Sequence, residues 1–418
     1  MSANWILGFG SCLLSVDSGS FWVRGNMKSN VLRAVIDKPR HEDGVAGIRW
    51  TNLSSNRTFD EYFLDVEQLK RATARIRQAL HKLQESLNGP LSIDAPEPLQ
   101  ELALCGVDLY QYLMTCSARR MGHEEAAVTF RSWFETEILP NPESWRIEFV
   151  IRDVENIVPW GLVFSPRPGL DIKQLGTAFP DYEAFWCHSF NTAVFHKLPD
   201  RSRAYQTVAA DKYIFSLLVE YSDQPILQLD GQSRSSELSR KKQMEKDRHE
   251  AQLDHRVFDY NEQAREFLGM YDNKTRHFLY MSLQAEADAY EHDSIRDLKE
   301  EIPDGELFLL LDGDAVIRGD RGDDWLHTLF DTDWSGLVAA ETDIKNPSLH
   351  FAGWEFLEAL LTHASPLHAM LHKARRDFWP ASLLYGLYCD PMKLNIEDPP
   401  PEDFVRVHRA LKAAMMSY

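Results

Sequence analysis

The residues best placed to do chemistry follow two short apolar runs. Phe278-Leu279-Tyr280-Met281 leads into Gln284-Ala285-Glu286, and Leu307-Phe308-Leu309-Leu310-Leu311 leads into Asp312-Gly313-Asp314-Ala315. Apolar, β-prone runs of this length read as strands buried on both faces. A charged, helix-forming stretch from Ser294 to Glu301 separates them, which predicts a parallel α/β arrangement. Sheets of that kind bind ligands just beyond the carboxyl ends of their strands, so Gln284 and Asp314 stand at the candidate site. Glutamine does not titrate. An aspartate could attack as a carboxylate, but it would form a labile anhydride and has no base beside it.

Thiols and imidazoles elsewhere offer fewer combinations. Cys187 and His188 are adjacent; in an extended segment neighbours point to opposite faces and do not meet. Cys389 follows an apolar run and has His363, His368 and His372 upstream, the last two placed to share a helix face. These histidines read as surface or partly packed side chains. The acidic group Asp312, Asp314, Asp320, Asp323 and Asp324 offers hard oxygen ligands of the kind Ca²⁺ takes, but Asp320-Arg321-Gly322-Asp323-Asp324 reads better as a solvated turn with its own arginine. No metal ligand set and no cofactor motif is assigned.

Composition narrows the classes. The chain has 418 residues, of which 44% are hydrophobic and 26% charged, as in a soluble globular protein. A formal net charge of -19 disfavours general binding to a phosphate backbone, so nucleic acid is not an expected partner. The five cysteines (Cys12, Cys105, Cys116, Cys187 and Cys389) are scattered and lack C-x-x-C spacing, which fits free thiols in a reducing cytoplasm. No run approaches membrane-spanning length, and Trp5 to Leu14 reads as a buried first strand rather than a signal peptide.

The elements that must position the site follow from periodicity. Strands are expected at Val31 to Ile36 and Ala46 to Trp50, with a loop over Thr51 to Thr58. Val66, Leu69, Thr73, Ile76, Leu80, Leu83 and Leu87 draw one stripe down a helix that Asn88-Gly89-Pro90 stops. Residues 1–90 are read as an N-terminal region of strands and this heptad-patterned helix, residues 91–400 as the main domain, and residues 401–418 as a helical tail. Leu99 to Met121 reads as a helix, and Trp145 to Ile151 as a strand with Ile147, Phe149 and Ile151 on one face. Further strands are expected at Tyr213 to Val219, Val257 to Asp259, Gly336 to Ala340 and Tyr385 to Tyr388. Helices are expected over Glu262 to Tyr271, around Trp325 to Phe330, over Leu349 to His363 and over Leu367 to Phe378. Gln232 to Arg256 is almost wholly polar with mixed charge and reads as a solvated insertion.

Several segments resemble the CHAT family of caspase-like cysteine peptidases. Val158-Pro159-Trp160-Gly161-Leu162-Val163 is similar to the family's "PWE-L-L" segment, and Gly336-Leu337-Val338-Ala339-Ala340-Glu341 to the strand before its acidic turn. Phe356-Leu357-Glu358-Ala359-Leu360-Leu361 and His368 through Arg376 resemble its paired C-terminal helices, and Tyr385-Gly386-Leu387-Tyr388-Cys389-Asp390-Pro391 its closing "Y-x-x-Y-G-D-P". Together these cover roughly residues 95–396. The resemblance implies an α/β fold, a caspase-like sandwich with a mostly parallel central sheet flanked by helices, plus a small N-terminal α+β region.

In a peptidase of that family the two strands end in a His-Gly step and a Cys. Here those positions hold Gln284-Ala285 and Asp314, so the thiolate and the imidazole that the reaction needs are both missing. The expectation is a pseudopeptidase that works by binding a protein, as a regulator or adaptor, in a bacterial stress or antiviral defence setting. A peptide segment would lie in the vestigial cleft near Pro159, Trp160, Gln284, Glu286, Asp312, Asp314 and Glu341. Two alternatives stand. One is a divergent cysteine peptidase activated by a partner and using Cys187 or Cys389. The other is a metal-dependent glycosyltransferase, because Asp312-Gly313-Asp314 resembles the Asp-x-Asp that holds Mg²⁺ or Mn²⁺ against a nucleotide diphosphate.

Overall fold

The computed structural model describes residues 30–38, 44–89, 92–119, 122–152, 158–165, 169–195, 212–219, 254–258, 275–283, 307–316, 336–342, 344, 349 and 375–388. The expected first strands before residue 30, the helices over 262–271, 294–301, 325–330 and, apart from Leu349, 349–363, and the tail at 401–418 lie outside the described residues; so does the insertion expected over Gln232 to Arg256, except that its last three residues belong to a strand, Asp254–Phe258, and not to a solvated loop.

Strands β1 (Asn30–Ile36), β2 (Val45–Asn52), β3 (Arg57–Thr58) and β4 (Tyr62–Asp65) open the chain. Helix α1 (Val66–Glu85) follows, capped by the Asp65 carboxylate, which accepts a hydrogen bond from the Gln68 amide at 3.1 Å. Val66, Leu69, Thr73, Ile76, Leu80 and Leu83 are buried along it, the stripe that the spacing predicts. The short strands β5 (Leu87–Gly89) and β6 (Ser92–Ile93) pair with each other, and helix α2 (Glu97–Leu113) begins with Pro98 in its first turn. Helix α3 (Glu124–Trp133) runs into a π-helical turn at Phe134–Ile138. Then come β7 (Trp145–Ile151), the short helix α4 (Trp186–Ser189), β8 (Asn191–Phe195), β9 (Lys212–Val219), β10 (Asp254–Phe258), β11 (Thr275–Leu283), β12 (Leu307–Val316), β13 (Gly336–Ala340) and β14 (Tyr385–Tyr388).

These strands form one mixed, mostly parallel sheet flanked by helices, an α/β fold. Its order among the described residues is β10-β9-β11-β12-β13-β14-β8-β7-β1-β2-β3, with β4 on β2. β1 pairs in parallel with β7 along its whole length, Asn30 opposite Trp145 through Ile36 opposite Ile151. A boundary at residue 90 therefore does not fall between two sheets; the N-terminal strands extend the same sheet that carries β11 and β12.

β7 explains why. All seven of its residues are buried, not only the expected Ile147, Phe149 and Ile151 face. On that face Phe149 stacks on Trp160 at 4.5 Å and meets Trp50 edge-on at 5.8 Å, while Trp50 stacks on Phe130 of α3 at 4.4 Å. On the other face Arg33, directly opposite Glu148 in register, donates Nε to Glu148 Oε2 at 2.8 Å, and Arg146 Nη2 reaches Glu148 Oε1 at 3.2 Å. Strand alternation alone leaves such charges exposed; a strand paired on both edges and covered on both faces has to bury them together.

α2 holds the next segment close. The Phe164 amide donates to the Gly106 carbonyl at 3.1 Å, and a side chain at Gly106 would lie 2.5 Å from the Leu162 carbonyl oxygen. α2 ends at Leu113 rather than running to Met121, and the chain turns so that Tyr62 Oη donates to the Leu113 carbonyl at 2.7 Å.

Removing Glu148 leaves two guanidinium groups buried without their shared carboxylate. Glu148→Gln is expected to cost about 3–5 kcal/mol in urea unfolding; an unchanged midpoint and slope would contradict this account of β7.

Candidate functional site

β11 and β12 lie side by side in parallel, with Ser282 opposite Asp312 and Leu283 opposite Gly313. The carboxyl end of β11 thus lies beside Asp312 and Gly313 of β12. β12 does not stop at Leu311, as its apolar run suggests, but continues through Asp312 and Asp314 to Val316. Opposite β13 its register jumps, from Leu311 opposite Ala339 to Val316 opposite Ala340, so residues 312–315 form an irregularity of the kind found at sheet rims and near sites. Gln284 and Glu286, the acidic residues Asp320, Asp323 and Asp324, and Cys389 with His363, His368 and His372 lie outside the described residues.

Three of the sequence-derived cleft residues, Pro159, Trp160 and Glu341, are buried. Trp160 and Glu341 do come together, around an internal cavity of about 10 Å³ that is also lined by Cys187, Arg375, Gly386 and Tyr388. That is about the space of one water molecule, so this cavity is no groove for a peptide. The periodicity that marks Glu341 as the residue after a buried strand gives no sign of whether the turn opens outward. Arg375 and Tyr388 belong to segments that carry the family resemblance, but a lone arginine in a helical stretch and a strand tyrosine carry no spacing signal that would place them at a site.

β13, β14 and a helical turn between them build the cavity. β13 leads straight to Glu341, whose amide donates to the Leu384 carbonyl at 2.7 Å. β14 supplies Tyr388, whose hydroxyl donates to Glu341 Oε1 at 2.8 Å. A helical turn at Arg375 sends that side chain inward, where Nη2 donates to the Tyr385 carbonyl at 3.1 Å and Nη1 to the Cys187 carbonyl at 3.4 Å. The turn is held by Ser382 Oγ, which donates to the Arg375 carbonyl at 2.7 Å. Gly386 admits the carboxylate: a side chain there would collide with Glu341 Oε1 and come within 2.8 Å of the Tyr388 ring.

Burial holds the Glu341 carboxyl above the usual carboxylate range, against the Tyr388 hydrogen bond and the Arg77 and Arg375 charges, which pull it down. Burial also raises the Tyr388 hydroxyl, with the nearby Glu341 charge acting the same way.

Cys187 and His188 lie on the helical turn α4, not on an extended segment. The thiol is enclosed against Gly161 and Arg375, while the imidazole, fully buried, meets Phe179 edge-on at 5.0 Å and Trp379 at 5.6 Å. Burial pushes the Cys187 thiol up to about 11, with Arg375 opposing. Cys105 and Cys116 are buried free thiols as well. Among the described residues no group of His, Cys, Asp or Glu side chains has the arrangement of a metal site, and no helix is long and apolar enough to cross a membrane.

No family model and no curated protein matches the chain. Among solved structures, it is similar to a chain of the Saccharomyces cerevisiae separase–securin complex, with a TM-score of 0.46 and 10% sequence identity. The match covers 87% of this chain and 30% of that one, so this chain spans under a third of its length. A likeness at that score carries no argument about fold or function.

A neutral, enclosed thiol reacts slowly with electrophiles. Iodoacetamide labelling of Cys187 in the native protein, followed by peptide mapping, is expected to run at least about a hundredfold slower than in the unfolded chain, the factor that two pKa units imply. Equal rates in the two states would contradict the described burial.

Proposed function

We propose that this chain is a non-catalytic relative of the caspase-like CHAT peptidases that acts by binding a protein partner. The observation that carries the reading is the parallel pairing of β11 and β12, which brings the ends of two neighbouring strands to one edge. A caspase-like peptidase keeps its imidazole and thiol at such a pair of strand ends. Here the stretches from Ser282 to Glu286 and from Asp312 to Val316 contain neither histidine nor cysteine. Without a thiolate and a base to shuttle its proton, amide cleavage has no nucleophilic route at this edge.

What remains is the rim formed by the ends of two interior strands, each followed in sequence by polar residues, and a partner's polar segment is the ligand proposed to dock there. The irregular register opposite β13 at residues 312–315 is of the kind found beside binding sites. The enclosed Cys187 thiol weighs against a peptidase rebuilt on that residue. Free, buried thiols fit a reducing compartment such as the cytoplasm, and the resemblance to the CHAT family suggests a regulator or adaptor in bacterial stress or antiviral defence.

The test is turnover on a reduced, unfolded protein such as casein, followed by gel and mass spectrometry. The native chain and its Asp314→Asn variant are both expected to show no cleavage above buffer. Cleavage by the native chain that Asp314→Asn abolishes would overturn the reading.

A further inference from the structure

The Glu341 cavity lies at the junction between the two halves of the sheet. Among the described residues β14 meets β8 in parallel at Tyr388 opposite Val194. The neighbouring pairs, β13 with β14 and β7 with β8, run along their strands. Side chains connect the two sides as well. Arg375 spans the junction by donating to the carbonyls of Tyr385 on one side and Cys187 on the other. Trp379 Nε1 donates across it to the Thr177 carbonyl at 2.9 Å, and its ring stacks on Tyr182 at 5.2 Å.

Inside the junction the polar groups are only partly satisfied. Glu341 is 3% exposed and Arg375 4%. Glu341 Oε1 accepts from Tyr388, but Glu341 Oε2 and Arg375 Nε have no hydrogen-bond partner among the described residues. Among the described residues the charged and titratable groups around Glu341 are Tyr388 from β14, Arg375 from the preceding turn, Arg77 from α1 and Cys187 from α4. A neutral carboxyl fits this closed space. Tyr388, Arg77 and Arg375 favour the carboxylate, but burial in a space that admits about one water outweighs them.

We propose that Glu341, Tyr388 and Arg375 form a proton-operated latch between the half-sheets. With Glu341 protonated the cavity stays closed and β14 lies on β8; loss of the proton draws water in and loosens β14 from β8. The sign follows from linkage. The closed state holds the proton more tightly than an open, solvated carboxyl does. The closed state is therefore favoured in full below the ordinary carboxylate range. It loses that advantage as pH rises from there to the value of the closed state. This device does not depend on whether the β11–β12 edge binds or cuts.

Amide hydrogen exchange on the full chain, read at Tyr385–Tyr388 and Asn191–Phe195 over a pH series and corrected for intrinsic rates, tests it. Protection at the junction is expected to fall by up to about tenfold per pH unit above the ordinary carboxylate range, while protection in β7 stays level. In Glu341→Gln the junction should show no pH dependence. Tyr388→Phe, which removes a hydrogen bond that favours the charged form, should move the loosening to higher pH. Flat protection in the unsubstituted protein, the same slope in Glu341→Gln, or an unmoved midpoint in Tyr388→Phe would each overturn the latch.

Discussion

The rest of the structure depends on β7 being buried on both faces. One face is an aromatic block in which Phe149 lies between Trp160 and Trp50. On the other, among the described residues, the Glu148 carboxylate pairs with the Arg33 and Arg146 guanidinium groups. A strand with two such faces tolerates no slip in register, because a shift of one residue would exchange Phe149 for Glu148. Once β7 is fixed, β1 and β8 are fixed on its edges, and Trp160 positions the turn that leads to Gly161 and the cavity. The ion cluster is weak evidence for net stability, since desolvation offsets most of its attraction. Its role is better described as specifying register.

From β8 the constraint passes to β14 and the second half of the sheet by a different kind of contact. There β14 and β8 pair, among the described residues, at Tyr388 and Val194, and the buried Arg375 side chain bridges carbonyls of both halves. Junctions held by a few buried polar groups respond to protonation and hydration more sharply than a continuous ladder does. The β11–β12 edge lies two strands beyond β14, with β13 between, so any movement at the junction would be transmitted through β13, the strand that leads directly to Glu341.

Much of the fold was legible in the sequence. The α1 stripe, β7, β13 and β14 fall where periodicity puts them, because their apolar spacing reports burial directly. What periodicity missed was context. α3 buries only Ala127 and Phe130, yet Phe130 is central to the core because it meets Trp50. The polar face of β7 gave no sign of burial, since alternation assumes that one face sees water. β12 runs past its apolar residues because strand extent is set by partners in the sheet, and β11 continues to pair with it at Asp312 and Gly313. The cavity was half visible: Trp160 and Glu341 were named for a cleft, while Arg375 and Tyr388, which close it, come from segments distant in the chain.

The account's central functional claim is that the edge where β11 and β12 end binds without cutting. The most direct measurement is intact mass after exposure of the native chain to an electrophilic peptide ketone, a broad probe of activated cysteine nucleophiles. The account predicts no adduct on the native protein and adducts on its cysteines only after unfolding. A single stoichiometric adduct on one cysteine of the native chain would contradict it and would identify a working nucleophile.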